Sequence, residues 1–284
     1  MNGLSSVYKN LLCQPNEFWA AVSMLYLEVF MLKLFIGNKN YSSWSMRPWV
    51  LLKQAGIPFE EVMVRFDSFN AESAFKKTMA ELTPTGKVPV LQDGTLAVWD
   101  TLAIAEYAAE YAAAQTPAIS LWPTDRAARA NARSICTEMH AGFTALRSVC
   151  PMNIDADLAD VGAIIWRDQP AVRADVAYIV RMWSGLLAKH GGPMLFGNFS
   201  VADAYFAPVV MRLRSYALPV PAEITAYMDR VCTLPGVQAW IQQALQEKTF
   251  VDFNEPYRLD PHAPPRRGSL PPEGAAFHLG AARR

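Results

Sequence analysis

An abrupt change in the period of the apolar residues constrains this chain most. Up to Trp99, strand-like alternation of apolar and polar residues recurs; beyond Thr124 it is absent and the apolar residues keep helical spacing. That change is what an α/β unit followed by an all-helical unit leaves in a sequence, because side chains repeat every second residue along a strand and every third or fourth along a helix. A length of 284 residues leaves room for both units.

Leu32, Leu34 and Ile36 alternate ahead of Gly37, and polar turn formers follow over residues 38–43. Pro48 is tolerated only in a first helical turn, so a helix starts close to residues 43–47 and ends at Gly56-Ile57-Pro58. Ser45 is its best plain N-cap. Val62, Val64 and Phe66 mark a second strand over residues 59–66, and the short crossover implies parallel pairing. After a polar, weakly periodic segment at 68–82, residues 88–91 and 96–99 flank Asp93-Gly94 as an antiparallel hairpin. A helix over 100–113 closes a βαβαββα unit. Helices are then expected over 125–149, 170–190, 200–217, 222–234 and 237–247, with Ser200 and Asp203 forming a capping box.

The apolar run 18–34 is broken by Glu28 and Lys33 and is too short to span a bilayer, while Lys9, Glu17 and the absence of a small-x-small site fit a signal peptide poorly. Residues 1–30 are therefore expected to be an appendage outside the fold, with Met31 as a candidate true start. Residues 31–114 form the first domain, 115–123 a linker, 124–253 the helical domain, and the proline-rich stretch 254–284 a disordered tail. The 26 basic and 26 acidic residues balance, which argues against nucleic acid as a partner. The four cysteines include no CxxC pair and the four histidines show no ligand spacing, so no metal is expected.

Four pieces in this order carry a resemblance: Ser42-Ser43-Trp44-Ser45-Met46-Arg47-Pro48, Gly86-Lys87-Val88-Pro89-Val90-Leu91, Trp99-Asp100-Thr101-Leu102-Ala103-Ile104 and Phe199-Ser200-Val201-Ala202-Asp203. Together, over about residues 32–250, they resemble the cytosolic glutathione S-transferases. The first piece looks like the SSxSxR stretch of a bacterial, zeta-like type. The implied fold is a thioredoxin-like βαβαββα domain followed by an all-helical domain. The sequence departs from many relatives in having Asp100-Thr101 for a Glu-Ser pair and Trp44 where zeta enzymes often carry Cys.

A free thiol with a pKa of about 8.5 is only a few per cent thiolate at neutral pH, and lowering it by roughly two units takes under 3 kcal/mol, within reach of one or two charge-assisted hydrogen bonds. A hydroxyl at a helix N-terminus supplies such a bond. The candidate donors are Ser43, preferred from its spacing to Arg47, and Ser42, to which the zeta pattern points as readily.

The resemblance implies glutathione as co-substrate and further contacts for it. Ser45 is one; a cis Val88-Pro89 bond would present the Val88 backbone to the cysteinyl part; Lys87 would meet the glycyl carboxylate. Thr101 would hold the γ-glutamyl carboxylate and Asp100 its ammonium. Trp44, His140 and Phe143 are candidates for the second-substrate pocket, which would take a hydrophobic electrophile. A cytoplasmic homodimer is implied as well, with no membrane association.

The expected function is thus glutathione S-transfer and a detoxification role. The alternatives are a glutathione-dependent isomerase of the maleylacetoacetate type and a non-catalytic protein-interaction module. No cysteine lies between Cys13 and Cys136, which excludes a reductase working on the first domain's own sulfur.

Overall fold

The computed structural model describes residues 31–116 and 120–258; the expected appendage before Met31 and the tail beyond Arg258 lie outside the described residues. Strands β1 (Leu32–Ile36), β2 (Phe59–Met63), β3 (Val90–Asp93) and β4 (Leu96–Trp99) form one sheet in the order β2-β1-β3-β4. β1 runs parallel to β2, with Leu32 opposite Phe59, and antiparallel to β3, with Leu34 opposite Leu91. β3 and β4 are the expected hairpin, Val90 facing Trp99 across it. Helices α1 (Ser43–Gln54), α2 (Ala74–Leu82) and α3 (Thr101–Gln115) complete a thioredoxin-like unit.

The helical domain comprises α4 (Arg126–Ala141), α5 (Thr144–Val149), α6 (Ala159–Asp168), α7 (Pro170–His190), α8 (Val201–Ser215), α9 (Ala222–Thr233) and α10 (Pro235–Glu247), followed by a 3-10 turn at Asp252–Asn254. Alternation in the first unit and its absence in the second therefore have the expected origin.

Four differences have physical causes. β2 stops at Met63 because Val64 ends the ladder and the Phe66 amide turns to the Asn38 side chain. The helix expected over 125–149 breaks at Gly142-Phe143, where Phe143 takes a left-handed φ of 53°. Helix α6 went unanticipated because its aspartate-flanked sequence buries only Val161, Gly162 and Ile165. The expected tail begins packed: Glu255 and Tyr257 are buried, and Tyr41 donates its hydroxyl hydrogen to Glu255.

The two units share α1. On one side it packs on the sheet and α3; on the other it meets α8 and α10. Trp49 and Trp240, both fully buried, meet edge to face with ring centroids 5.3 Å apart. A Cβ at Gly236 would lie 3.0 Å from the Val50 carbonyl, so glycine lets α10 approach the α1 backbone. The Ser200–Asp203 capping box is present, and Asp203 also accepts from the Leu195 amide at 3.1 Å and the Tyr227 hydroxyl at 3.1 Å. These contacts hold α8, and through it the helical wall that faces α1.

Candidate functional site

The start of α1 lies where β1 ends, and two cavities meet beside it. One, of about 370 Å³, is lined by Ser42, Ser43, Trp44, Lys87 and Val88 from the first unit and by Arg147, Met152 and Arg212 from the second. The other, of about 320 Å³, is lined by Trp44, Lys87, Val88, Pro89, Asp100, Thr101, His140 and Arg147. Trp44, Lys87, Val88 and Arg147 belong to both, so the two make one continuous cleft between the domains. Its ends are charged differently: among the described residues the 370 Å³ cavity has no acid in its lining, whereas the 320 Å³ cavity has Asp100.

The serines divide by what their hydroxyls already do. Ser42, not Ser45, is the N-cap of α1. Its Oγ accepts from the Ser45 amide at 3.4 Å and donates to Ser45 Oγ at 2.7 Å, so its hydrogen is committed inside the protein. Ser45 is fully buried, its Oγ accepting from the Gly37 amide at 3.1 Å, and it lines neither cavity. Ser45 thus ties the end of β1 to α1, which corrects its expected place as both N-cap and ligand contact. Ser43 differs: its Oγ accepts from Arg212 Nη2 at 3.3 Å. An oxygen that accepts there keeps its own hydrogen for the cleft it lines.

Val88 and Pro89 are joined by a cis peptide bond ahead of β3 and face the cleft with Lys87, which is exposed. Asp100 caps α3 at a positive φ of 76°, accepting from the Leu102 amide at 3.1 Å. A non-glycine residue there carries backbone strain, which functional sites commonly hold. The other Asp100 oxygen stands 3.5 Å from His140 Nε2. Thr101, at the first turn of α3, shares a 2.8 Å hydrogen bond with the Tyr205 hydroxyl. Backbone N–H groups of a first helical turn have no partner within the helix, so this corner favours a carboxylate.

Trp44 and His140 meet with ring centroids 4.9 Å apart and both line the cleft. Phe143 does not line it: it is buried and packs on Tyr178 at 5.8 Å. Its left-handed backbone turns it away from the helix face on which it was expected.

Sequence spacing does not announce Arg147, Arg212, Tyr41, Phe69, Lys76 or Asn254 as lining residues, and all six line the cleft. Arg212 carried a readable signal, a lone cation within the apolar run 209–213. Burial pushes the Cys150 thiol up to about 12 and raises the Cys136 thiol as well, and among the described residues no cysteine lines either cavity. The described residues offer no thiolate here. Among the described residues no group of three or more His, Cys, Asp or Glu side chains could hold a metal, and no helix is long and apolar enough to cross a membrane.

Two family models match, the glutathione S-transferase N-terminal domain over residues 41–110 and the glutathione S-transferase C-terminal domain over residues 155–243, together more than half of the chain. The chain belongs to the glutathione S-transferase family. Among solved structures it resembles a glutathione transferase homolog from Burkholderia GL BGR1 with bound glutathione, at 24% identity and a TM-score of 0.56 over 76% of this chain and 99% of that one. The tau class glutathione S-transferase of mango, Mangifera indica, shares 17% identity with a TM-score of 0.53, over 76% of this chain and 96% of that one. Ure2p in complex with S-p-nitrobenzylglutathione shares 15% identity with a TM-score of 0.59, over 75% and 95%. These likenesses establish the transferase fold. No curated protein sequence gives a significant match.

Proposed function

We propose that this glutathione S-transferase family member is a serine-type glutathione transferase. Glutathione lies along the cleft, its γ-glutamyl carboxylate on the first turn of α3 at Thr101 and its ammonium at Asp100. The Val88 backbone pairs with the cysteinyl part, and Lys87 meets the glycyl carboxylate. Ser43 donates to the sulfur. The glutathione thiol loses its proton to solvent, and the thiolate attacks an electrophilic carbon, forming a C–S bond as the carbon's leaving group departs. Catalysis comes from holding the two reactants together and from favouring the charged sulfur.

The observation that carries this reading is the unequal use of the two serines. Ser42 has spent its hydrogen on Ser45, while Ser43 accepts from Arg212 and has its hydrogen free beside the cleft. That difference supports Ser43 over Ser42 as the donor. The neighbouring guanidinium also lowers the energy of an anion next to Ser43. Isothermal titration with glutathione, followed by turnover of an aryl chloride electrophile, tests the reading. Micromolar to low millimolar binding with glutathione-dependent chloride release is expected; absence of glutathione binding sinks it.

A further inference from the structure

The cavity beside Ser43 carries a local charge surplus that the balanced composition does not explain. Lys76, Lys87, Arg147 and Arg212 line it and, among the described residues, no aspartate or glutamate does, although the chain has 26 residues of each sign. A third arginine stands just behind: Arg47 is 2% exposed, its Nε donates to the Tyr205 carbonyl at 2.9 Å and its buried Nη1 has no partner among the described residues. The guanidiniums of Arg47 and Arg147 lie against the Trp44 ring, 4.1 and 4.9 Å from its centroid.

None of these arginines is neutralised by a described residue. Arg147 Nη1 donates to the carbonyls of His140 at 3.0 Å and Gly142 at 3.1 Å. Arg212 donates to the carbonyls of Cys150 at 2.9 Å and Pro208 at 3.2 Å and to Ser43 Oγ. Among the described residues no ion pair joins Arg47, Arg147 or Arg212 to a carboxylate. Burial pushes Arg47 down to about 9 and Arg212 to about 10, with repulsion from neighbouring arginines adding to it, and burial lowers Arg147 too. Buried cations without counter-charge are costly unless a ligand completes them.

Glutathione accounts for part of the surplus. Its glycyl carboxylate takes up the lysine end and its thiolate the Ser43–Arg212 end, which leaves Arg147. Carbonyls anchor one arm of that guanidinium, and the residue lines both halves of the cleft. A planar fork fixed in this way suits a carboxylate, which it can meet with two parallel hydrogen bonds. Aromatic and apolar surface from Tyr41, Phe69, Pro151 and Met152 lies in the same lining.

We propose that the second substrate is an electrophile with an apolar body and a carboxylate, the carboxylate pairing with Arg147 beside Arg212 and the body lying on the aromatic wall. The assignment rests on the glutathione transferase reading and names its substrate class. For a carboxylated benzyl chloride, the step forms one C–S bond and breaks one C–Cl bond. Chloride leaves with the bonding pair, and the glutathione proton passes to solvent.

The test uses the full chain and the two reaction products as non-reacting probes, S-(4-carboxybenzyl)glutathione and S-(4-carbamoylbenzyl)glutathione, which match in size and differ in charge. Calorimetry should show the acid binding about tenfold or more tighter than the amide, a preference that Arg147→Lys reduces, keeping the charge without the planar fork, and Arg147→Gln abolishes. Because the readout is a ratio within each variant, a general loss of affinity does not imitate it. If glutathione and both conjugates bind the wild type but the acid gains nothing, the carboxylate assignment is overturned while the glutathione reading stands. A preference undiminished in Arg147→Gln also overturns it. If neither glutathione nor either conjugate binds, the glutathione reading fails and takes this one with it. Should Arg147→Gln not fold, the wild-type ratio and its reduction in Arg147→Lys still decide, an undiminished ratio in Arg147→Lys overturning the assignment.

Discussion

Replacing Ser43 by alanine removes the hydroxyl proposed to face the sulfur and leaves the N-cap of α1 intact, because that cap is Ser42. A hydrogen bond to a charged group contributes about 1.5–3 kcal/mol, and each pKa unit corresponds to about 1.4 kcal/mol, so the bound thiol should rise by roughly 1 to 2 units. Arg212 Nη2, which donates to Ser43 Oγ at 3.3 Å, would face the cleft directly in the variant and recover part of the loss. The lower end of that range is therefore expected. Ultraviolet absorbance of the thiolate, titrated in the glutathione complex, reads the shift. Near pH 6.5, kcat/KM should fall by about tenfold, and the two enzymes should converge in alkali, where the thiol ionises unaided. Ser42→Ala should behave in the opposite manner, costing about 1 kcal/mol of stability through the lost cap with little movement of the thiol. If Ser42→Ala raises the thiol pKa and Ser43→Ala does not, the hydrogen-bond argument that separates the two serines is wrong.

Three further outcomes follow from particular contacts. Burial raises the Asp203 carboxyl to about 6 against its bonds from Leu195, Ser200 and Tyr227. The native state then holds a proton that the unfolded chain releases, so this group's contribution to stability falls as pH rises from about 4 to 6, by up to about 3 kcal/mol, and is level above. Denaturant unfolding at several pH values should show wild type losing stability relative to Asp203→Asn across that window; parallel curves would contradict it. A Cβ on Gly162 would lie 1.7 Å from the Tyr216 carbonyl, so Gly162→Ala should displace α6 and destabilise by about 1–3 kcal/mol in chemical denaturation, and an unchanged midpoint would refute the contact. The rings of Phe69 and Phe253 meet at 4.6 Å beside the cavity that Phe69 lines. Phe69→Ala should raise KM for an aromatic electrophile several-fold while leaving glutathione affinity within about twofold, and a loss of glutathione binding would show the ring serves the other ligand.

The sheet was legible because each strand leaves a period-two trace and the Asp-Gly turn fixes the hairpin. The start of α1 was legible to within a turn, but not the division of labour among Ser42, Ser43 and Ser45. All three are hydroxyls at one helix start; Ser42 and Ser43 both line the cleft, and only the hydrogen bonds made in the folded chain decide which of them keeps its hydrogen free. Phe143 was misplaced for a related reason: apolar spacing through Gly142 looks helical, and nothing in sequence announced the left-handed residue that breaks the helix. The arginine wall depends on long-range assembly, since Arg47, Arg147 and Arg212 come from three separate helices. The chain does announce each arginine as an odd cation in apolar company; it cannot announce that they converge.

Burying α1 on both faces has a consequence for how such a protein can be rebuilt. It belongs by sequence to the first domain, yet Trp49 packs on Trp240, Arg47 donates to the Tyr205 carbonyl and the Val50 carbonyl sits against Gly236. The boundary between the domains in the chain is therefore not a boundary in the packing. A chimera that exchanges the helical half to import another substrate preference would leave Trp49 against a foreign surface and the Arg47 Nε without its carbonyl. Recombination should succeed only where α8, α10 and α1 travel as a set, which makes the inherited unit the interface and not the domain.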